Sequence, residues 1–239
     1  MDSENYKYLA DKIEILKTQP YFENIKKNSL GCFLLGIFNI GKVIDEHNLH
    51  IAVCTTKSDN STNSTNSTNL NIKTLSKVLY NNTCGAKEFG LSEQFERYFA
   101  QFFDKNHPES YYKKYASVSP IDKLNDDLCQ IVLEKDFAQN IAFMMTFQFI
   151  FKYIIEQFNL IALENNKIPI DNVVCETNTL LLLDLLNCFD SDENKHKILN
   201  QIDETINIFI AFFDEINNQF YCYWIIEISQ TILCIEKLI

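Results

Sequence analysis

The stretch from Phe137 to Leu163, FAQNIAFMMTFQFIFKYIIEQFNLIAL, limits the fold more than any other feature. It holds no proline or glycine, and its apolar residues fall on every side of a helix rather than on one stripe. A helix of that kind must be surrounded by other elements. At about 1.5 Å per residue it would cross a small domain. Lys152 and Glu156 interrupt it, so it lacks the roughly 20 predominantly apolar residues of a membrane span.

A second apolar helix is expected over Leu30 to Ile44, LGCFLLGIFNIGKVI. Gly31, Gly36 and Gly41 recur in it at five-residue intervals, which fits no phosphate-binding fingerprint and suits close helix packing. Amphipathic partners are legible from their spacing. Tyr6, Leu9, Ile13 and Leu16 mark a helix over 4–17, stopped by Pro20. Leu70, Leu75, Val78 and Leu79 mark a short one over 70–80. Ser92 opens an aromatic helix with Phe95, Tyr98, Phe99, Phe102 and Phe103. Ser119-Pro120 starts another with Ile121, Leu124, Leu128 and Ile131. After a break at Asn165 to Pro169, three helices are predicted near 177–189, 193–217 and 219–238. Strand patterning is confined to HIAVC and DNVVC.

With 5 Gly and 4 Pro in 239 residues, the chain is short of the turns that all-β folds consume. The predicted fold is therefore all-α, a multi-helix bundle of roughly eight helices around two apolar central helices. A helical domain over 1–165 is expected to carry a disordered loop over 55–69, with a C-terminal helical subdomain over 166–239 packed on it. The loop sequence TTKSDNSTNSTNSTN cannot bury a core. Asn60, Asn63, Asn66 and Asn81 formally head glycosylation sequons, and a repeat expansion in a tolerant loop explains the first three.

The N-terminal MDSENYKYLADKIEI lacks the apolar core of a signal peptide, which sets the expectation of a cytoplasmic protein. On that basis the eight cysteines are read as reduced, buried thiols, several of them inside apolar runs such as LGCFLL, LLNCFD and TILCIE. Net charge is −11 and Arg97 is the only arginine, the opposite of a free-standing duplex-DNA binder.

Candidate chemistry is sparse. His47, His50 and Cys54 share one face if helical, with Cys84 as a fourth ligand, but the spacing matches no zinc family. The expected arrangement is surface histidines beside a buried thiol, with no metal. His107 and His196 lie in charged, loop-like surroundings away from the apolar-flanked cysteines, so no Cys-His nucleophile is expected. Asp126-Asp127 and Asp190, Asp192 and Glu193 are read as solvated or helix-start acids. Tyr111, Tyr112 and Tyr115 interleave with Lys113 and Lys114, a pattern that can hold single-stranded nucleic acid or simply form an amphipathic helix. No catalytic residue and no cofactor is expected.

Residues 15–48, ILKTQPYFENIKKNSLGCFLLGIFNIGKVIDEHN, pair Tyr21-Phe22 after Pro20 with FLLG (Phe33 to Gly36) and a later Gly41-Lys42. LNIKTLSKVLYNN and the aromatic FAQNIAFMMTFQF follow. Over about residues 10–155 this order resembles the C-terminal helical segment of large subunits in type I-B CRISPR interference complexes. The resemblance implies a helical bundle lining the path of displaced DNA, without catalytic residues. Lys26, Lys27, Lys42, Lys113 and Lys114 then become candidates for backbone contact.

Three functions follow as expectations. The first is a non-enzymatic helical subunit of a CRISPR-like nucleoprotein defence complex. The second is a helical protein-interaction module of the viral host-response or apoptosis-regulator type, binding a partner helix in an apolar groove or acting as an acidic nucleic-acid mimic. The third is an all-α enzyme with a polar pocket. Partners are expected to be proteins, with nucleic acid only as part of a complex and no membrane.

Overall fold

The computed structural model describes residues 4–20, 43–54, 65–84, 91–101, 119–171, 173–189 and 191–236. Their helices are α1 (Glu4–Lys17), α2 (residues 43–54), α3 (Thr65–Cys84), α4 (Leu91–Ala100), α5 (Ser119–Glu134), α6 (Phe137–Glu164), α7 (Val173–Leu186) and α8 (Asp192–Glu236). No strand occurs among the described residues, so the all-α expectation holds. No helix among them is long and apolar enough to cross a membrane.

The apolar stretch from Phe137 is the central helix. Residues all round α6 are buried, from Ala138 through Phe147 and Ile154 to Ala162. Its closest neighbours are α7 and α8; α3 packs on α7 and α4, while α1 and α5 pack on α8. One buried cluster runs from Leu9 to Ile216 and crosses residue 165 without interruption. Aromatic rings form its centre. Phe147 stacks on Phe151 at 4.4 Å and meets Phe209 edge-on at 5.3 Å, geometries that suit the ring quadrupole.

Both ends of α6 are closed by local chemistry. At its start Asp136 accepts from the Gln139 N–H while Gln139 accepts from the Asp136 N–H, a capping box. At its end Asn166 takes a left-handed backbone, φ 54°. The Lys167 N–H reaches the Ala162 carbonyl and the Asn166 N–H reaches that of Leu163. That is a Schellman turn, and asparagine tolerates the required conformation better than most residues with a Cβ.

The structure corrects several expectations. α3 begins at Thr65, so the last residues of the Ser/Thr/Asn tract are helical; polar residues suit a first turn with unsatisfied N–H groups, and a helix set by the 75–82 face extends at little cost. HIAVC lies wholly within α2, and the Val-Val-Cys of DNVVC opens α7. β-Branched residues lower helix propensity only slightly, and packing on α6 overrides it. α8 runs unbroken through Asn217-Asn218, where neither Pro nor Gly enforces a stop. Cys188 is exposed rather than buried, because α7 ends at Leu186 and leaves it in the turn. The second apolar helix lies outside the described residues up to Lys42; Val43 and Ile44, its continuation, are buried.

Candidate functional site

Between Ile141 and Phe151 α6 carries two polar side chains, Thr146 and Gln148, and the second organises a buried polar layer. Gln148, 1% exposed, sits where α2, α3, α6 and α7 meet. Its Nε2 lies 3.0 Å from His47 Nε2 and donates at 3.4 Å to Asn82 Oδ1. Asn82 Oδ1 also accepts from Asn178 at 2.8 Å, and Asn178 Oδ1 accepts from Asn81 at 2.8 Å. Four helices are thereby tied by side-chain amides and one imidazole.

The His47 ring stacks on Phe147 at 3.6 Å. Burial pushes its protonation well below the ordinary histidine range, and the nearby His50 adds to this. His47 Nδ1, Asn82 Nδ2 and Gln148 Oε1 have no hydrogen-bond partner in this interior. His47, Asn82 and Asn178 are 0% exposed, so the layer presents nothing to a substrate. Its physical effect is on register, because a shifted helix would leave several buried amides unpaired.

The histidines expected at the surface are therefore buried, as is Cys54. They do share a helix face, and that face packs inward. His50 meets Cys129, with Nε2 3.4 Å from Sγ. Burial first, then the carboxylates of Glu46 and Asp126, raise the pKa of the Cys129 thiol, the reverse of what a nucleophile needs. Among the described residues no three of His, Cys, Asp and Glu are placed to share a metal ion. His196 is exposed in the first turns of α8. Lys26, Lys27, Lys42, Lys113 and Lys114 lie outside the described residues, as do His107 and Tyr111, Tyr112 and Tyr115.

Several of the described lysines are paired with acids. Lys12 pairs with Asp203 at 2.8 Å, Lys135 with Glu204 at 3.0 Å and Lys152 with Glu176 at 3.1 Å. Lys197 bridges Glu193 and Asp136. Such exposed pairs contribute little to stability.

A depression of about 210 Å³ opens between α5 and α8. Its α5 wall carries Asp127, Gln130, Ile131, Glu134 and, just past the helix end, Lys135. Glu204 and Ile208 of α8 face them. Sharing Asp127 and Ile208, a shallower extension continues past Leu124, Ala211 and Phe212 to Lys123 and Glu215. The floor is apolar and the rim is mostly carboxylate. Ala211, in the shallow extension, is exposed.

Compared with known proteins, the chain matches no family model and no curated sequence. Neither the polar layer nor the groove was singled out by sequence reasoning. Gln148 and Thr146, isolated inside the most apolar helix, were the available signal for the first. The second needed the pairing of α5 with α8, which no local pattern encodes.

Proposed function

We propose that the chain is a non-enzymatic helical interaction module that receives a partner helix between α5 and α8. The groove carries this reading, since an apolar floor between two helices is the kind of surface an amphipathic helix recognises. A cytoplasmic setting fits the thiol state of Cys54, Cys129, Cys175 and Cys188.

A second reading, a helical subunit of a CRISPR-type nucleoprotein defence complex, draws on the segment over 15–48 and on Lys26, Lys27, Lys42, Lys113 and Lys114. One experiment separates the two. Tagged protein is recovered from its native cells with and without nuclease, as wild type and as Ala211→Arg, which fills the groove from an exposed position. A discrete protein partner that survives nuclease and is lost from Ala211→Arg supports the interaction module. Recovery of CRISPR-type subunits with RNA, unchanged by Ala211→Arg, supports the nucleoprotein subunit instead.

A further inference from the structure

The buried polar layer links its side chains end to end, and each contact pairs a donor with an acceptor. Asn81 donates to Asn178, Asn178 donates to Asn82, and Gln148 donates to Asn82 with a nitrogen that also lies 3.0 Å from His47 Nε2. A side-chain amide carries N–H groups at one end and a carbonyl at the other, and an imidazole nitrogen donates or accepts according to its proton. Turning over the four amides, and moving one proton between the His47 ring nitrogens, therefore yields a second arrangement. It keeps the same contacts at the same distances with every donor and acceptor exchanged. The ring loses one proton and gains one, so its charge is unchanged.

Partial reversal is penalised. Turning Asn178 alone would set two carbonyl oxygens 2.8 Å apart towards Asn82 and two amide nitrogens 2.8 Å apart towards Asn81. In a dry interior such mismatches are costly, so the links turn together. Complete reversal is balanced. His47 Nδ1, Asn82 Nδ2 and Gln148 Oε1 have no hydrogen-bond partner as the layer stands, and reversal only exchanges their polarity. The four amides are uncharged, and burial favours the neutral form of both His47 and its titratable neighbour His50. No net charge within the chain of bonds selects a direction. One end of that chain is closed, since His47 is 0% exposed. The other end is open, because Asn81 is half-buried, next to Tyr80, which is 61% exposed.

We infer that the layer is a two-state relay, in which the hydrogen-bonding group presented to Asn81 on α3 sets which ring nitrogen of His47 on α2 carries the proton. An acceptor such as a carbonyl or carboxylate at the outward end of Asn81 draws its N–H groups out and turns its oxygen in. Asn178, Asn82 and Gln148 then turn in sequence, and His47 must donate from Nε2. A donor at the same place holds the present polarity. Both ends bias one bistable element, which is the physical requirement for coupling between them.

The test uses the full chain with isotope-labelled histidine, because nitrogen NMR distinguishes a protonated ring nitrogen from a bare one. The His47 signals are identified by their loss in His47→Gln. Asn81→Asp offers Asn178 acceptors only, and Asn81→Lys offers donors only. The proton is expected on Nε2 in Asn81→Asp and on Nδ1 in Asn81→Lys, the two His47 signals exchanging places. Backbone amide spectra establish that each variant keeps the fold. Identical His47 signals in the wild type and both variants overturn the relay. A carboxylate also acts through space, so Asn178→Leu is used to cut the chain of bonds. Adding Asn81→Asp to Asn178→Leu should leave the His47 signals where Asn178→Leu alone puts them. The same exchange of signals in that background is a direct effect of charge and overturns the relay as well.

Discussion

Asn159 grips the backbone of Ile170 with both ends of its side chain: Nδ2 donates to the Ile170 carbonyl at 2.6 Å and Oδ1 accepts from its N–H at 2.8 Å. A side-chain amide offers the same donor and acceptor as a peptide group, so it can stand in for a neighbouring strand. Gln101 does the same to Ile168, accepting from its N–H at 2.7 Å and donating to its carbonyl at 3.2 Å. Gln94 then takes the Asp171 N–H at 3.0 Å. The extended connection between α6 and α7 is thus satisfied group by group without a sheet.

Asn159→Asp keeps the acceptor and turns the donor into a second acceptor facing the Ile170 carbonyl. A loss of about 1–3 kcal/mol in urea unfolding is expected. Gln101→Ala, whose bonds are exposed, should lose less. Equal losses at the two positions would mean that burial does not govern these clamps.

Asn166 holds the left-handed position that ends α6. Asn166→Gly relieves the residual Cβ strain and should raise stability slightly, whereas Asn166→Ala should lower it by about 1 kcal/mol. A shift of the same sign for both variants in thermal unfolding would contradict this role.

These two asparagines show where sequence reasoning reaches its limit. The break at Asn165 to Pro169 was legible because proline and clustered asparagine punctuate helices locally. What Asn159 binds was not, since a mid-helix asparagine looks alike whether it faces water or a loop eleven residues on. α1 and α6 were legible almost to the residue, because their periodicity and lack of breakers act within one element. The unbroken passage of α8 through Asn217-Asn218 was not, because Asn lowers helix propensity without stopping a helix that tertiary packing supports. For the groove, the sequence displays Asp127 and Glu134 but not that α8 lies opposite them.

The buried imidazole makes stability depend on pH. In the unfolded chain His47 takes up a proton near 6.5, while burial holds protonation in the fold to a lower pH. Below 6.5 the unfolded state binds more protons, so stability falls as pH drops towards the folded value, by up to about 1.4 kcal/mol per pH unit. The slope fades as pH rises through 6.5 and is nearly gone about one unit above it. His50, lowered by burial too, acts in the same direction. His47→Gln keeps an amide beside Gln148 but cannot titrate. Urea midpoints followed from about pH 7.5 to about pH 5.5 should therefore fall less steeply in the variant. Identical slopes would show that His47 is not the group being titrated.

Thiol labelling should follow burial. Cys175 is wholly buried and its pKa is pushed up to about 12, chiefly by desolvation; Cys54 is buried as well. Cys129 and Cys188 are exposed. Iodoacetamide at mildly alkaline pH, read by peptide mass spectrometry, should modify Cys129 and Cys188 in the native protein and reach Cys54 and Cys175 only in denaturant. Cys129 should react more slowly than an unperturbed thiol, since its environment disfavours the thiolate. Rapid native modification of Cys175 would mean that α7 opens readily from α6.

The bond between Asn178 and Asn82 joins α7 to α3 inside the bundle, 2.8 Å long between residues that are both 0% exposed. Asn178→Leu removes the donor to Asn82 and the acceptor for Asn81, leaving buried amide groups unpaired. Each single leucine variant should therefore cost about 1–3 kcal/mol through the partner it strands. In the double variant Asn82→Leu/Asn178→Leu neither strands the other, and apolar groups fill the space between the helices. The combined loss should then fall short of the sum of the singles by at least about 1 kcal/mol. Additive losses would mean that the two asparagines act separately, and that register between α3 and α7 is set by the surrounding leucines and valines alone.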